Sequence, residues 1–457
     1  MQEQVAAGTR MPSGLASEAG AFSQAVTRPP GSRWLYAYVV VEIACQLALL
    51  FGQLAPARVV FRSAAFGASL ALFFLVPGRA QVHHSARWLA FLVIAILTLS
   101  TLNPGGSTPL AVIAHWCFYM AVLAPIFWVA RLEIGEETLI RLLLVYWLYC
   151  SVSSIFGVLQ ASFPGQFQPS ISALIRPDKV MSIKLASGEW VPRPMGLTDI
   201  PGGAASSGLY AALLGLGVTI ARPFRYASVA GLLSMVAGMV CIYLCQIRAM
   251  VVMLAICTTV LLGMFAISGR LSRMAFALTV GVGMALVGFY FAFALGGEMV
   301  TSRLATLVET DPGSVYGKNR GHFLTYALTE VLPEYPVGAG LGRWGMMNQY
   351  FGLPEDSIWA EIQWTGWVLD GGIFMAVVYP ASVIAMIAAV VRVSLRSVGS
   401  EFGLWTSVVV AFGVGTLALT FSYPIFLSTG GIEFWLLTAV AIQAARYGPG
   451  ALGARPS

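Results

Sequence analysis

Apolar residues dominate this chain from Trp34 onward, and short polar or glycine- and proline-rich connections divide them into runs. A run of about 18 to 22 apolar residues crosses a hydrocarbon core of roughly 30 Å as an α-helix. The pattern therefore predicts an all-α polytopic membrane protein with about 12 transmembrane helices. The predicted spans are 34–51, 57–76, 87–102, 109–130, 140–162, 201–220, 226–246, 248–267, 274–295, 367–391, 403–423 and 431–446.

Two connections, 163–200 and 296–366, are much longer than the others. Residues 1–33 are small, polar and rich in proline and glycine, which predicts a disordered tail. No hydrophobic signal region precedes Trp34, so the first span is expected to be an uncleaved anchor. The predicted organisation is a tail over 1–33, a transmembrane domain over 34–447 and a second tail over 448–457.

Arginine distribution predicts the orientation of the spans. If the N-terminus is cytoplasmic, every inner segment carries at least two arginines: Arg10, Arg28 and Arg33, then Arg79 and Arg87, Arg131 and Arg141, Arg222 and Arg225, Arg270 and Arg273, Arg392 and Arg396, and Arg446 and Arg455. The short outer connections contain only Arg58, Arg62 and Arg248. Cytoplasmic loops are enriched in basic residues, so both termini are expected to be cytoplasmic and both long loops extracytoplasmic.

Composition agrees with a membrane protein. Hydrophobic residues make up 58% of the chain and charged residues 10%, whereas soluble domains carry roughly a quarter charged residues. The net charge of +6 is explained by inner arginines facing anionic lipid, without a nucleic-acid partner. The six cysteines lie in apolar runs without a CxxC pair, and no acidic cluster is visible, so no disulfide, metal or cofactor is predicted. Glu42 and Glu433 are interpreted as polar residues within or at the ends of spans.

The large outer loop contains the polar stretch "NRGHFLTYALTEVLPEYPVGAGLGRWG", residues 319–345. Its pattern predicts a helix over 320–332, which begins with Arg320 and carries His322. Prolines then end the helix, and a glycine-rich turn presents Arg343 and Trp344. Arginine forks bind phosphate oxygens bidentately, and tryptophan faces stack on sugars, although a purely structural loop has the same composition.

The sequence "GLGRWG" (340–345) within this loop matches the pattern GxGxxG. A dinucleotide site requires this pattern to follow a strand and to open a helix. No strand is predicted before Gly340, and Pro336 lies just upstream. We therefore do not interpret the stretch as a nucleotide site.

Arg248 lies among apolar residues between spans seven and eight and breaks the charge rule for outer connections. It is either a snorkelling residue or a ligand for a lipid phosphate. Arg193 lies in the first long loop among other charged residues, where a solvated loop and a substrate-binding loop are both compatible with the composition. Both arginines are candidate site residues.

The segment "EDSIWAEIQWTGWVLDGG", residues 355–372, places Glu361 between Trp359 and Trp364 at the outer entrance of span ten. The tryptophans are typical of an interfacial aromatic belt. A carboxylate in such a belt is more costly to place, and Glu361 is a candidate general base for a sugar hydroxyl. The two tryptophans are candidate sugar-stacking residues.

Three motifs, in this order, resemble those of one family. They are "MGLTDIPGGAA" (195–205), "QIRAM" with Arg248, and "RGHFLTYALTEVLPEYPVGAGLG" with Arg320 and the Pro-x-Gly-x-Gly turn of 336–340. The chain resembles the O-antigen ligase and O-antigen polymerase superfamily of integral-membrane glycosyltransferases over about 34–447, most sharply over 193–380. Members have about a dozen spans and a large extracytoplasmic loop before the last few.

The resemblance implies a metal-independent, inverting glycosyltransferase of the bacterial inner membrane that uses an undecaprenyl-diphosphate-linked glycan as donor. Arg248, with Arg320 or Arg343, would bind the diphosphate, and Glu361 or His322 would accept the proton of the acceptor hydroxyl. Arg193, Trp344, Trp359 and Trp364 are the remaining expected substrate contacts. A chain-length regulator or export complex is an expected partner in exopolysaccharide biosynthesis.

The chain also departs from the family pattern. Many members carry His-Asn just before span ten, where this sequence has Glu361-Ile362, although "DGG" (370–372) fits the acid and glycine that follow. The departure favours a polymerase of an exported polysaccharide over a ligase that transfers glycan to another acceptor. A lipid-linked glycan transporter or flippase is the alternative from another class, but no repeat between the halves supports it.

Overall fold

A computed structural model of the chain describes residues 31–78, 85–163, 166–170, 182–184, 188, 190–223, 225–305 and 312–447. The tail predicted over 448–457 and nearly all of that over 1–33 lie outside the described residues, as do parts of both long loops. The described chain is almost entirely helical. The one sheet in this part is an antiparallel pair of three-residue strands in the first long loop, β1 (Ser182–Lys184) and β2 (Trp190–Pro192).

Fourteen α-helices are numbered in chain order. They are α1 Ser32–Ala48, α2 Arg58–Leu75, α3 Ser85–Ser100, α4 Pro109–Leu123, α5 Glu136–Ser162, α6 Pro201–Ala221, α7 Tyr226–Cys245, α8 Arg248–Ile267, α9 Leu271–Gly296, α10 Glu298–Ala305, α11 Gly345–Phe351, α12 Gln363–Arg396, α13 Glu401–Leu419 and α14 Thr429–Ala444. A short helix, Pro125–Trp128, follows α4. The 3₁₀ turns are Gly52–Ala57, Val129–Arg131, Pro354–Asp356 and Ile425–Leu427.

A further helical run, here called the loop helix, covers residues 312–334 in the large loop. Two π-helical segments interrupt it, and its five parts are Pro312–Tyr316, Gly317–Gly321 (π), His322–Tyr326, Ala327–Val331 (π) and Leu332–Glu334. The sequence predicted a helix over 320–332, so this helix starts earlier than expected. It also passes Pro333 and ends at Glu334.

Each of the twelve predicted spans contains an α-helix. Eight helices in the described part of the chain are long and apolar enough to cross a membrane, and a ninth is obtained if the bent pair Pro109–Leu123 and Pro125–Arg131 is one span. Helices α1, α3 and α14 have 17, 16 and 16 residues and fall short of that length. The structure thus supports a membrane-embedded helical protein, while about 12 spans remains a prediction.

Alternate connections meet at opposite ends of the helix bundle. At one end, the Arg131 guanidinium donates to the carbonyls of Phe73 and Val76 at 2.7 and 3.2 Å, and Gln443 donates to Leu132 at 2.5 Å. At the other end, the backbone N–H of Gly52 donates to Ser170 and that of Ser107 donates to Leu341. We call the second end the loop face, because it carries 190–200, 297–305, 312–362 and 420–428. The charge distribution predicts that it is extracytoplasmic.

Small residues bring α6 and α7 into close contact at the centre of the bundle. A Cβ added at Gly238 would clash with the carbonyl of Gly208, and one added at Gly215 would lie 2.7 Å from the carbonyl of Gly231. Glycine pairs of this kind allow helix backbones to approach closely inside a membrane. Helix α6 is the most buried of the apolar helices, with 89% of its apolar window inside the protein.

The glycine-rich turn of the large loop docks onto α12 and onto the connection between α3 and α4. Gly338, Gly340 and Gly342 have φ angles of +100°, +95° and +79°, which L side chains rarely adopt. A Cβ added at Gly340 would also clash with the backbone of Gly105 and Gly106. The turn meets α12 where its helix is broken at Gly371 and Gly372, and the N–H of Ile373 donates to the carbonyl of Pro336 at 3.0 Å.

Because the glycine-rich turn is closely packed, we expect a single added methyl group to have a large effect on the stability of the protein. Gly340→Ala adds a side chain at positive φ and a backbone clash, so we expect it to destabilise the protein by about 2–3 kcal/mol. The measurement is the apparent Tm of purified protein in detergent. Gly263→Ala is the matched control, because Gly263 lies in α8 with no atom within 4 Å of its added Cβ. Equal Tm values for the two variants would contradict the docking.

Candidate active site

The carboxylate of Asp370 anchors the large loop in the helix bundle. Asp370 is fully buried beside the break in α12. The Trp344 indole donates to its Oδ1 at 2.8 Å, the Tyr119 hydroxyl donates to its Oδ2 at 2.6 Å, and His115 Nε2 faces Oδ2 at 3.4 Å. The Gly342 N–H donates to His115 Nδ1 at 3.3 Å, which leaves the ring proton on Nε2. One carboxylate therefore connects α4, α12 and the glycine-rich turn.

The loop helix lies on this anchored base. The Tyr316 hydroxyl donates to the carbonyl of Phe421 at 3.1 Å, and the Thr365 hydroxyl donates to the carbonyl of Phe323 at 3.4 Å. These bonds attach the helix to the connection after α13 and to the start of α12. Arg320 lies in the first π segment, and π segments occur frequently at functional sites.

Arg248 is the first residue of α8 and lies at the loop face. The preceding helix α7 ends at Cys245, and the next residue, Gln246, has a φ of 56° and is the one non-glycine residue with positive φ in the described ranges. This sharp reversal separates α7 from α8 by only two residues. The N-terminus of a 20-residue helix carries a partial positive charge and free N–H groups, so Arg248 adds a charge where the helix already attracts anions.

Arg320 and Glu361 lie together at the loop face, near enough to Arg248 for its charge to act on Arg320. Arg320 forms an ion pair with Glu361, and the two side chains are 37% and 25% exposed. Burial lowers the pKa of the Arg320 guanidinium, and the positive charge of Arg248 lowers it further. An anion bound beside Arg248 and Arg320 would be attracted by both guanidinium groups.

An open cleft of about 940 Å³ lies beside this group. The loop helix from Tyr316 to Glu330 and the ring of Trp359 line it. The ring of Trp359 is 69% exposed, and the exposed His322 lines the same cleft. The structure therefore brings His322 and Trp359 into one surface depression, beside Arg320.

Trp344 and Arg343 follow the glycine-rich turn but point to different surroundings. Trp344 is 2% exposed and donates to Asp370, and its ring fills the space above Gly366. A ring without a free face cannot stack on a sugar, so this residue is excluded from the proposed substrate contacts. The guanidinium of Arg343 lies 6.0 Å from the ring centre of Tyr335, a cation–π arrangement.

Trp364 and Arg193 are the two other substrate contacts that the sequence predicted. Trp364 is half-buried and donates to the Thr420 hydroxyl at 3.2 Å, and it packs against Trp367 and Phe421 with ring centres 5.3 Å away in each case. Trp364 is therefore a packing residue in this structure, and its role as a sugar contact stays a prediction. Arg193 is half-buried near the loop-face end of α7, where the Cys245 thiol donates to the neighbouring Pro194 carbonyl at 3.4 Å.

A second pair of arginines lies at the loop face on α2. Arg58 and Arg62 both pair with Oδ2 of Asp199, Arg62 at 2.6 Å. The carboxylate comes from the segment "GLTDI", and it neutralises one of the two charges. The two ion pairs with Asp199 attach the end of the first long loop to α2. This attachment explains why two arginines occur in a connection that is predicted to be extracytoplasmic.

Sequence reasoning missed two features of the structure. Glu330 lines the cleft with His322, and its position two helical turns later on the loop helix is a signal that could have found it. Glu42 and Glu433 were interpreted separately, but the structure brings them together inside the bundle. Tyr146 and Tyr210, whose rings stack at 6.0 Å, donate to Glu42 at 2.7 Å and to Glu433 at 2.6 Å. Their separation along the chain concealed this contact.

Asp370 yields a direct prediction about the site. Asp370→Asn removes the charge and one acceptor, so Trp344 or Tyr119 loses its partner inside the protein, at a cost of about 1–3 kcal/mol. We expect a lower Tm and faster proteolysis of the large loop. Glu401→Gln, which alters the exposed pair with Arg222, is the matched control. An Asp370→Asn variant with unchanged Tm and loop protection would contradict the anchoring role.

Comparison with known proteins leaves the family of this chain open. The sequence matches no family model, and no curated protein matches it. Within the described residues, no group of three or more His, Cys, Asp or Glu side chains is arranged to hold a metal ion. The functional argument therefore rests on the geometry of the loop face.

Proposed function

We propose that the chain polymerises undecaprenyl-diphosphate-linked oligosaccharide repeat units into an exported polysaccharide at the outer face of the bacterial inner membrane. The observation that carries this proposal is the meeting of Arg248 and Arg320 beside Glu361 at the end of a hydrophobic bundle. A lipid-linked donor keeps its chain in the bilayer and presents its diphosphate at this depth. The diphosphate would then bind beside the guanidinium groups of Arg248 and Arg320.

In the proposed reaction, Arg248 and Arg320 bind the diphosphate oxygens. As an acceptor hydroxyl attacks the anomeric carbon, the bond from that carbon to the phosphate oxygen breaks. The departing diphosphate takes the bonding electrons, and the two guanidinium groups stabilise its developing charge. Attack opposite to the leaving group inverts the anomeric centre, and no metal or nucleotide is consumed.

Glu361 is the proposed general base that accepts the proton of the acceptor hydroxyl. Its ion pair with Arg320 orients the carboxylate, and binding of the diphosphate to Arg320 would release a carboxylate oxygen for this role. His322 is the alternative base, since it lines the adjoining cleft. The exposed ring of Trp359 supplies an apolar face on which a sugar of either substrate can stack.

A ligase that transfers the glycan to another acceptor uses the same donor chemistry and remains the nearest alternative. A transporter or flippase is the alternative from another class, and the buried Glu42–Glu433 group favours it, because intramembrane carboxyl groups often serve transport. The deciding experiment incubates purified protein with undecaprenyl-diphosphate oligosaccharide, without added metal or nucleotide. We expect a ladder of longer lipid-linked glycans. Translocation without elongation would overturn the enzyme proposal.

Arginine substitutions test the donor site in this assay. We expect Arg248→Ala and Arg320→Ala each to lower kcat/KM by about 10²–10³, because each removes a charge that stabilises the leaving group. Arg320→Lys should recover only part of the loss, since lysine lacks the bidentate fork. The control is Arg141→Ala, at an exposed ion pair with Glu137. Full activity in Arg248→Ala and Arg320→Ala would exclude this donor site.

The identity of the base is tested by comparing Glu361→Gln with His322→Gln. We expect Glu361→Gln to lower kcat by about 10²–10⁴ and to remove the acidic limb of the pH–rate profile. His322→Gln should retain that limb. A residue that only positions Arg320 would lower the rate without altering the profile, so an unchanged limb in Glu361→Gln would assign a positioning role to Glu361.

A further inference from the structure

A polar group lies inside the helix bundle, away from the proposed glycan site. Glu42 of α1 is 4% exposed, and Tyr146 of α5 donates to its Oε2 at 2.7 Å. Glu433 of α14 accepts a hydrogen bond from Tyr210 of α6 at 2.6 Å. The Tyr146 and Tyr210 rings stack with their planes 18° apart, so the two carboxyl groups and two phenols form one connected cluster between four helices.

The cluster contains no compensating positive side chain. Across the described ranges, neither Glu42 nor Glu433 lies within ion-pair distance of a lysine, arginine or histidine, because the ion pairs of this part of the chain involve other acids. Burying carboxylates without a partner costs several kcal/mol. Two carboxyl groups close enough to influence each other therefore require a proton or a cation.

Unsatisfied oxygen atoms favour a bound ion over a proton. Oε1 of Glu42 and the hydroxyl of Tyr38 are buried and have no hydrogen-bond partner among the described residues. Tyr38 is 1% exposed and lies four residues before Glu42 on α1, so the two side chains share one face of that helix. A proton on Oε1 of Glu42 would make it a donor that has no acceptor within hydrogen-bond distance, whereas a small cation between the two oxygens would give each of them a partner.

The chemistry of the donors indicates which ligand fits. The available atoms are carboxylate and phenol oxygens, which suit hard cations rather than soft transition metals. They are fewer than the six to eight oxygens that Ca²⁺ takes. We propose that Glu42, Glu433 and Tyr38 form an intramembrane binding site for a hard monovalent cation, with Na⁺ as the probe. This site is independent of the proposed glycan transfer.

The position of the cluster predicts entry from the loop face. Glu42 lies six residues before the end of α1 and Glu433 four residues after the start of α14. At a rise of about 1.5 Å per residue, these carboxyl groups lie roughly 9 and 6 Å inside the helix ends. The Tyr149 hydroxyl, which the charges of both acids also influence, donates to the Leu197 carbonyl of the first long loop at 3.2 Å.

The test measures the Tm of the purified full chain in detergent while Na⁺ replaces choline at constant ionic strength. We expect a saturable rise of about 2 °C or more for the parent protein. The rise should vanish in Glu42→Gln and persist in Glu137→Gln, the same change at an exposed position of α5. No rise in the parent, or an equal rise in Glu42→Gln, would overturn the proposal.

Two further arms keep the test decisive. If Glu42→Gln does not fold, Tyr38→Phe decides, because loss of one oxygen ligand should raise the half-saturating Na⁺ concentration about tenfold. An unchanged half-saturation would overturn the assignment. Ca²⁺ replaces Na⁺ in a parallel titration, and a larger rise with Ca²⁺ would refute a monovalent site. Stabilisation by acid alone, without any response to ions, would show that the cluster holds only a proton.

Discussion

The buried carboxylate of Asp370 is the constraint on which the arrangement of the loop face depends. A buried carboxyl group inside a helix bundle is tolerated only when hydrogen-bond donors surround it, and here these come from Tyr119 of α4 and Trp344 of the large loop, with His115 alongside. Because Trp344 is held there, the glycine-rich turn closes against α12 and the loop helix is seated above it. The positions of Arg320 and Glu361 are thus consequences of a contact that has no part in the proposed chemistry.

Hydrophobic periodicity was sufficient to place the helices, since a membrane-spanning helix needs a long apolar run that few other structures require. We predicted from the sequence that Arg320 and Glu361 belong to one site, and the structure adds that they form an ion pair. The burial of Trp344 and the link between Glu42 and Glu433 through the stacked Tyr146 and Tyr210 could not be predicted. Both depend on residues that are far apart in the chain. No local sequence pattern indicates which of these residues pack together in the folded protein.

The electrostatic arrangement separates two kinds of polar site in one bundle. At the loop face, the charge of Arg248 acts on Arg320, which pairs with Glu361, and the N-terminus of α8 adds a positive potential. Deeper in the bundle, Glu42 and Glu433 give an excess of negative charge that tyrosine hydroxyls only partly satisfy. The first arrangement suits a diphosphate and the second a cation. The first arrangement alone would be typical of the proposed enzyme, and the second alone would be typical of a transporter.

The most direct measurement of the central claim is the structure of the protein bound to an undecaprenyl-diphosphate-linked oligosaccharide, determined by cryo-electron microscopy in a lipid nanodisc. The account predicts diphosphate density between the guanidinium groups of Arg248 and Arg320, with the first sugar directed toward Glu361 and the cleft beside Trp359. Density for the diphosphate at Arg58 and Arg62, or in the bundle near Glu433, would contradict it.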